Sequence, residues 1–382
     1  MRERIPWRLR QPVRQARNLA AQARLVARQL PRWRAIASTP ARHGELAVSY
    51  GYEQMPRSDG MVYGGHVKFA LLAEELPNAP RDFNILYLGS TALPVEAPVL
   101  VRLARRRGAA FAWNQNGVAY AGWHGPGWRL LNAPRANLLR EADHVFYQSA
   151  FCKLSADRFY GERREGWEIL HNPVDTTRFI PPAERPRRPL TLLLGGNQYQ
   201  RYRLKAALET LALVRREIPD ARLLVAGALS FAPDAEAQAR SLASRLDVAD
   251  AVELVGPYTQ AEAPELMRQA DVLLHTKYND PCPTVVLEAM ASGLPIVYSA
   301  SGGTPELVGE DAGIGVPAPL DWAQDHPPAA SELADAVLGL TGRLAERSTA
   351  ARERSRRFDA KAWMARHHAV FTSLLRSGSG LS

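Results

Sequence analysis

Apolar residues in this chain cluster in short, largely apolar runs, not in strict alternation. The runs fall at 46–50, 83–88, 109–113, 142–149, 190–194, 222–226, 252–256, 271–274 and 296–298. Runs of that length fit strands buried on both faces of a parallel sheet. Between them, helices are predicted over 64–76, 98–107, 133–141, 204–218, 262–269 and 284–293, with two more at 331–345 and 349–375. Strands alternating with helices predict an α/β protein. No internal sequence repeat is evident, but the two halves read as similar strand–helix units facing each other. Ile180 and the following PPAERPRRP form a proline- and charge-rich linker between them. Four segments follow: a basic amphipathic N-terminal stretch (1–42), a first domain (43–180), a second domain (181–355) and a closing helix (356–376) that crosses back to the first domain.

Charge changes this picture at one place. The net charge is +9, yet residues 1–42 hold 11 Arg, no Lys and one acid, Glu3, so they carry 11 − 1 = +10 and the rest sums to −1. The basicity belongs to one segment, which argues against a nucleic-acid cleft in the body and excludes nucleic acid as an expected partner. On a helical wheel from Val13 to Pro31, Val13, Ala16, Leu19, Ala20, Ala23, Val26, Ala27 and Leu30 share a face beside a stripe of Arg14, Arg17, Arg24 and Arg28. Such a helix suits an anionic bilayer surface, a docking site on the body, or a basic tail. A transit peptide fits less well, since residues 13–31 contain no serine. No apolar run reaches membrane-span length and no signal-peptide core is present, so a cytoplasmic protein, peripheral on the inner face of the cell membrane, is expected. Cys152 and Cys282 lie far apart with no Cys/His cluster, so neither a structural zinc nor a disulfide is expected.

The chemistry concentrates in residues 279–306. Asp280 and Glu288 have seven residues between them, Thr284 stands at a helix start, and Gly302-Gly303 follows the 296–298 strand with Glu306 close behind. A helix start and a glycine turn both offer backbone N–H groups to an anion such as a diphosphate. A carboxylate on the helix can accept hydrogen bonds from a ribose diol, and one in the loop before it can take sugar hydroxyls. Capping acids in an ordinary loop–helix–strand unit would look the same. In the first half, Gly64-Gly65 after a strand repeats the anion-facing arrangement. WNQNGVAYAGWHGPGW offers the flat faces of Trp113, Tyr120, Trp123 and Trp128 to a sugar ring, or pins a surface loop with buried aromatics.

Residues 288–296, EAMASGLPI, with Gly302-Gly303-Thr304-Pro305-Glu306, resemble the donor-site signature of the retaining glycosyltransferases of family four. His171-Asn172-Pro173-Val174-Asp175 and Phe179 resemble the N-G-V-D-x-x-x-F signature that closes that family's first domain, with Pro in place of Gly. The resemblance spans roughly 45–375. It implies a GT-B fold, two Rossmann-like parallel-sheet domains facing a cleft, with the acceptor on the first and the nucleotide-sugar donor on the second. It implies glycosyl transfer from a nucleotide-sugar to a glycan or lipid-linked acceptor with retention at the anomeric carbon. It further implies Asp280 and Glu288 as the catalytic pair, with Asp280 in place of the family's Glu and therefore one methylene shorter. Arg201, Lys205, Thr284, Gly302, Gly303 and Glu306 would serve the donor, Arg203 being a third basic candidate beside the first two. Gly64, Gly65, Asn114, Asn116 and His124 would serve the acceptor side, with Asn114 or Asn116 standing where many members carry His. Neither metal nor cofactor is expected, and no Asp-x-Asp is present. An epimerase or hydrolase on the same fold, or a degenerate nucleotide-binding scaffold, are the alternatives.

Overall fold

Strands buried on both faces require helices on both sides of the sheet, and the chain supplies two such layers in succession. The computed structural model describes residues 26–55, 64–184 and 188–378. The first sheet is parallel with order β1–β5: β1 Val48–Ser49, β2 Ile85–Gly89, β3 Ala110–Gln115, β4 His144–Tyr147 and β5 Trp167–Ile169. The second is parallel with order β11-β10-β9-β6-β7-β8: β6 Thr191–Leu194, β7 Arg222–Ala226, β8 Val252–Gly256, β9 Val272–His275, β10 Ile296–Ala300 and β11 Gly313–Pro317. Central strands such as β2, β6 and β9 are buried throughout, whereas the edge strand β8 alternates with exposed positions.

The strand order of the second sheet positions the site. The chain runs outward from β6 to β8, then returns to the other side of β6 as β9. That reversal opens a crevice at the carboxyl ends of β6 and β9, the usual ligand position in open α/β sheets. The Gly195-Gly196 turn leaves β6 there, and residues 276–283 leave β9 there.

Several sequence expectations shift. β3 runs through Gln115, so Asn114 belongs to a strand and not to the loop after it. Gly313 and Gly315 lie in an edge strand that pairs with β10 and was not among the predicted runs. The helix expected at 204–218 begins at Arg201. The single helix expected over 349–375 is two, Leu344–Ser355 and Ala360–Gly378, parted by a 3₁₀ turn at Arg356–Phe358. Asp359 restarts the second by accepting from the Lys361 N–H at 2.9 Å. Trp363, Val370 and Phe371 of that helix pack with Val48, Phe69, Tyr87 and Phe146, returning the chain to the first domain.

The N-terminal helix also differs. Within the described residues it covers 26–38, continuing through Pro31, with Ile36 buried in the first-domain core and Trp33 packed against it. Arg32 donates to Glu96 and to the Gly51 carbonyl, both at 2.9 Å. Val26 and Leu30, from the predicted apolar face, stay 45% and 36% exposed. The remainder of that face, 13–25, lies outside the described residues. Among the described residues no helix is long and apolar enough to cross a membrane.

Candidate active site

The helix Thr284–Ala291 starts with Pro283 in the cap position and Thr284 as its first helical residue, so Thr284 does not cap it. Its inner face carries Glu288, almost fully buried, which accepts a hydrogen bond from Gln260 Nε2 at 3.2 Å. Burial pushes the Glu288 carboxyl up to about 7, against the Gln260 hydrogen bond and the Arg178 charge. Asp280, also buried, has the opposite balance. Burial acts to raise its carboxyl, but Lys277, His275 and Arg203 together hold it well below the ordinary carboxylate range. The Lys277 Nζ and His275 Nε2 each lie 3.2 Å from Asp280 Oδ2. The two acids thus differ at neutral pH, Asp280 ionised and Glu288 near its midpoint, a separation characteristic of functional sites.

The glycine turn abuts the same loop. Gly302 sits at φ +66°, open to glycine at little cost, and a Cβ there would stand 2.5 Å from the Asp280 carbonyl oxygen. A Cβ on Gly303 would stand 2.0 Å from the Pro281 carbonyl oxygen. The Gly303 N–H is not free for an anion, because it donates to the Asp280 carbonyl at 2.8 Å. The turn therefore shapes the 279–281 loop by close backbone approach.

Arg203 enters from the facing side. It is buried on the helix Arg201–Val214, its Nη1 donates to the Asn197 carbonyl at 2.9 Å, and its Nε has no partner among the described residues. Burial pushes the pKa of its guanidinium down, and the Asp280 charge opposes this. Arg201 is exposed, and Lys205 is exposed and paired with Glu209 at 2.8 Å. Of the three basic candidates, only Arg203 is turned toward the acids, since a helix places i and i+2 on different faces.

Residues 176–325 match the family model for glycosyl transferases group 1. The chain is similar to a GDP-mannose-dependent alpha-(1-6)-phosphatidylinositol monomannoside mannosyltransferase of Mycolicibacterium smegmatis, 31% identical over 60% of this chain and 61% of that protein. It is also similar to a glycogen synthase of Mycobacterium tuberculosis, 29% identical over 50% of this chain and 45% of that one. The chain spans about half the length of the curated relatives it matches. The fold is GT-B. It is shared with Anabaena HepE in complex with UDP and glucose, TM-score 0.63 and 19% identity over 81% of each chain. Sucrose-phosphate synthase of Thermosynechococcus elongatus shares it too, TM-score 0.64 and 19% identity over 92% of this chain and 93% of that one.

The second domain is closed against the first. Ser149 Oγ donates to the Pro281 carbonyl at 2.7 Å, and Asn172 Nδ2 to the Cys282 carbonyl at 2.8 Å. Glu306 crosses the seam and accepts from the Ala150 and Phe151 N–H groups at 2.7 and 3.0 Å, with His171 Nε2 at 3.2 Å. It occupies the start of the first-domain helix Ala150–Tyr160, where a carboxylate suits the dipole. Sequence reasoning assigned Glu306 to the donor; here its carboxylate joins the domains.

On the acceptor side, Gly64 opens the helix Gly64–Glu75, and Gly65 packs against Thr91 and Ala92. Asn114 is buried at the end of β3, its Oδ1 accepting from Lys68 Nζ at 2.7 Å and Gln148 Nε2 at 2.6 Å. Asn116 Oδ1 accepts from the N–H of Gly117, which abuts Pro281 of the 279–281 loop. His124 is exposed on the short helix Ala121–His124, beside Trp123, and is not gathered with the others. Sequence reasoning passed over His275, Lys277 and Lys68. His275 and Lys277 flank the 276–280 loop just before Asp280, which is their only local signal. Lys68 lies fully buried, bonded also to Asn172 Oδ1 at 3.2 Å, and burial lowers its ammonium to about 8. A lysine in an apolar helical stretch is that residue's only trace in the sequence.

Proposed function

We propose that the chain transfers a glycosyl unit from a nucleotide-sugar to a glycan or lipid-linked acceptor, with retention at the anomeric carbon. The observation that carries this is the pairing of a near-neutral Glu288 with an ionised Asp280 at the sheet reversal of a group 1 domain. Glu288 serves the ribose diol, since a half-protonated carboxyl both donates and accepts. Asp280 takes hydroxyls of the donor sugar. Arg203 and Lys277, in place of Arg201 and Lys205, face the diphosphate. In the reaction the bond from the anomeric carbon to the β-phosphate oxygen breaks. A bond to the acceptor oxygen forms, and the acceptor proton passes to the departing diphosphate. Cationic and hydrogen-bonding groups aimed at that departing charge give the largest contribution. The closed seam excludes water that would otherwise hydrolyse the donor.

Supporting this reading, the Mycolicibacterium relative is named for GDP-mannose and the Anabaena neighbour is described with UDP and glucose. The test is a thermal-shift screen of UDP-, GDP-, ADP- and TDP-sugars on the wild type and on Glu288→Ala. A ligand that binds only the folded state raises the midpoint. One nucleotide class should raise it, and the variant should lose the rise. Absence of any shift would refute the reading, a shift without turnover would favour a degenerate nucleotide-binding scaffold, and turnover to free sugar alone would favour a hydrolase.

The same reading places the protein on an anionic membrane surface through residues 1–42, supported by the exposed Val26 and Leu30. Because Ile36 and Arg32 tie 26–38 to the body, deletion of residues 1–25 is the cleaner test. Unchanged sedimentation with phosphatidylglycerol vesicles would remove the membrane role.

A further inference from the structure

A cavity of about 290 Å³ opens on the seam between the domains, lined by Ala121, Trp128, Arg158 and Phe159 of the first and by Asp321 and Trp322 of the second. Three aromatic rings, Trp128, Phe159 and Trp322, stand in its walls. Trp128 meets Phe159 edge to face at 5.2 Å, and Trp322 meets Phe159 in the same way at 5.4 Å. Trp322 is set by a stacked contact with Phe151 at 5.4 Å and an edge contact with Tyr120 at 5.0 Å.

One charge in that wall is uncommitted. The Arg158 guanidinium lies 5.7 Å from the Phe159 ring centre and 6.0 Å from that of Trp322. Among the described residues it has no carboxylate within ion-pair distance. Asp321, by contrast, is held by His326 Nε2 at 2.9 Å and the Ala323 N–H at 2.7 Å.

The cavity is fastened to the reaction loop. Tyr278 Oη donates to the Pro319 carbonyl at 2.6 Å and accepts from the Asp321 N–H at 2.9 Å, and Asn279 Nδ2 lies 3.4 Å from the Asp321 carbonyl oxygen. Tyr278 and Asn279 immediately precede Asp280 in the chain.

We infer that this cavity is a subsite for one pyranose ring of a glycan acceptor, formed by Trp128, Arg158 and Trp322 across the closed seam. Its volume, just below the ~300–1,000 Å³ typical of ligand pockets, suits a single sugar ring. A pyranose presents an apolar C–H face to aromatic rings and a rim of hydroxyls to a planar guanidinium with five donors. Because both domains supply walls, the subsite is complete only in the closed arrangement, and an occupied subsite favours closure.

The assignment of the ring to an acceptor rests on the transferase reading, whereas the binding test needs no turnover. The experiment uses the full chain. Methyl α-glycosides of glucose, mannose, galactose, N-acetylglucosamine and glucuronic acid are titrated by saturation-transfer NMR against wild type, Trp128→Ala and Arg158→Ala. Trp322 is left intact because its other contacts hold the seam. At least one glycoside should bind, and each variant should weaken it roughly tenfold or more. The nucleoside-diphosphate thermal shift should match wild type in both variants. No glycoside binding to wild type at roughly tens of millimolar would overturn the inference. So would unchanged binding in both variants, or loss of the nucleotide shift in either. Absence of the nucleotide shift in wild type would instead sink the transferase reading alone.

Discussion

Replacing Glu288 with Gln should stabilise the free protein at alkaline pH while abolishing donor binding. Burial raises the Glu288 carboxyl from 4.5 to about 7. The folded carboxyl therefore binds its proton more tightly than the unfolded one, so stability falls as pH rises from about 4.5 to about 7 and stays reduced above it. At 1.36 kcal/mol per pH unit, a displacement of about 2.5 units costs about 3 kcal/mol once both states are ionised. Glutamine keeps the shape and an acceptor for Gln260 but carries no charge to desolvate. At pH 8 the variant should be about 3 kcal/mol more stable, and at pH 5 by less than about 1 kcal/mol. If the second domain unfolds as a unit, the pH 8 gain is roughly 6–12 °C in midpoint. The assay is urea and thermal denaturation of both proteins at pH 5, 6, 7 and 8 without ligand, alongside the nucleotide shift. Equal stability at pH 8, or a difference that does not grow from pH 5 to pH 8, would refute the argument that Glu288 is held as a strained, desolvated carboxyl. A site residue that costs stability when unliganded is a recurrent pattern.

Three further outcomes follow from the same coordinates. Gly303→Ala should lower stability by about 1–3 kcal/mol and remove the nucleotide shift, because its Cβ meets the Pro281 carbonyl and forces the Asp280 loop to move; urea unfolding reads the first effect. Arg203→Ala should remove the nucleotide shift, whereas the double change Arg201→Ala with Lys205→Ala should leave it within about twofold in dissociation constant, measured by calorimetry. The wild type should gain stability from about pH 8 to about pH 10.5 as the buried Lys68 ammonium loses the charge that folding penalises, and Lys68→Met should flatten that rise in pH-dependent urea unfolding.

Much of the architecture is local and was therefore legible in the chain. The run at 222–226 matches β7 residue for residue, because a strand inside a parallel sheet needs side chains that are apolar or small, as Leu223–Ala226 are. Edge strands left a weaker trace: Gly313–Pro317 and Trp167–Ile169 pair on one side only and tolerate glycine, proline and charge. The break at 356–359 was hidden in good helix formers and is fixed by Asp359 and its pairing with Val174, a contact 185 residues away in the chain (359 − 174).

For the site, the sequence by itself determined the residue types and spacing of Asp280, Glu288, Gly302 and Gly303, since these lie within one loop–helix–strand–turn unit. The tertiary structure alone decided their states and their partners. Glu288 is near neutral and Asp280 ionised because burial outweighs the Gln260 hydrogen bond and the Arg178 charge at the first, while Lys277, His275 and Arg203 outweigh burial at the second. Which of Arg201, Arg203 and Lys205 faces the acids depends on how one helix is rotated against a sheet. That Glu306 caps a first-domain helix, and that Trp322 walls a cavity with Trp128, depends on how two domains close. Local sequence sets which groups are available, but desolvation, charge neighbourhood and domain contact are sums over residues distant in the chain, and only the folded arrangement performs those sums.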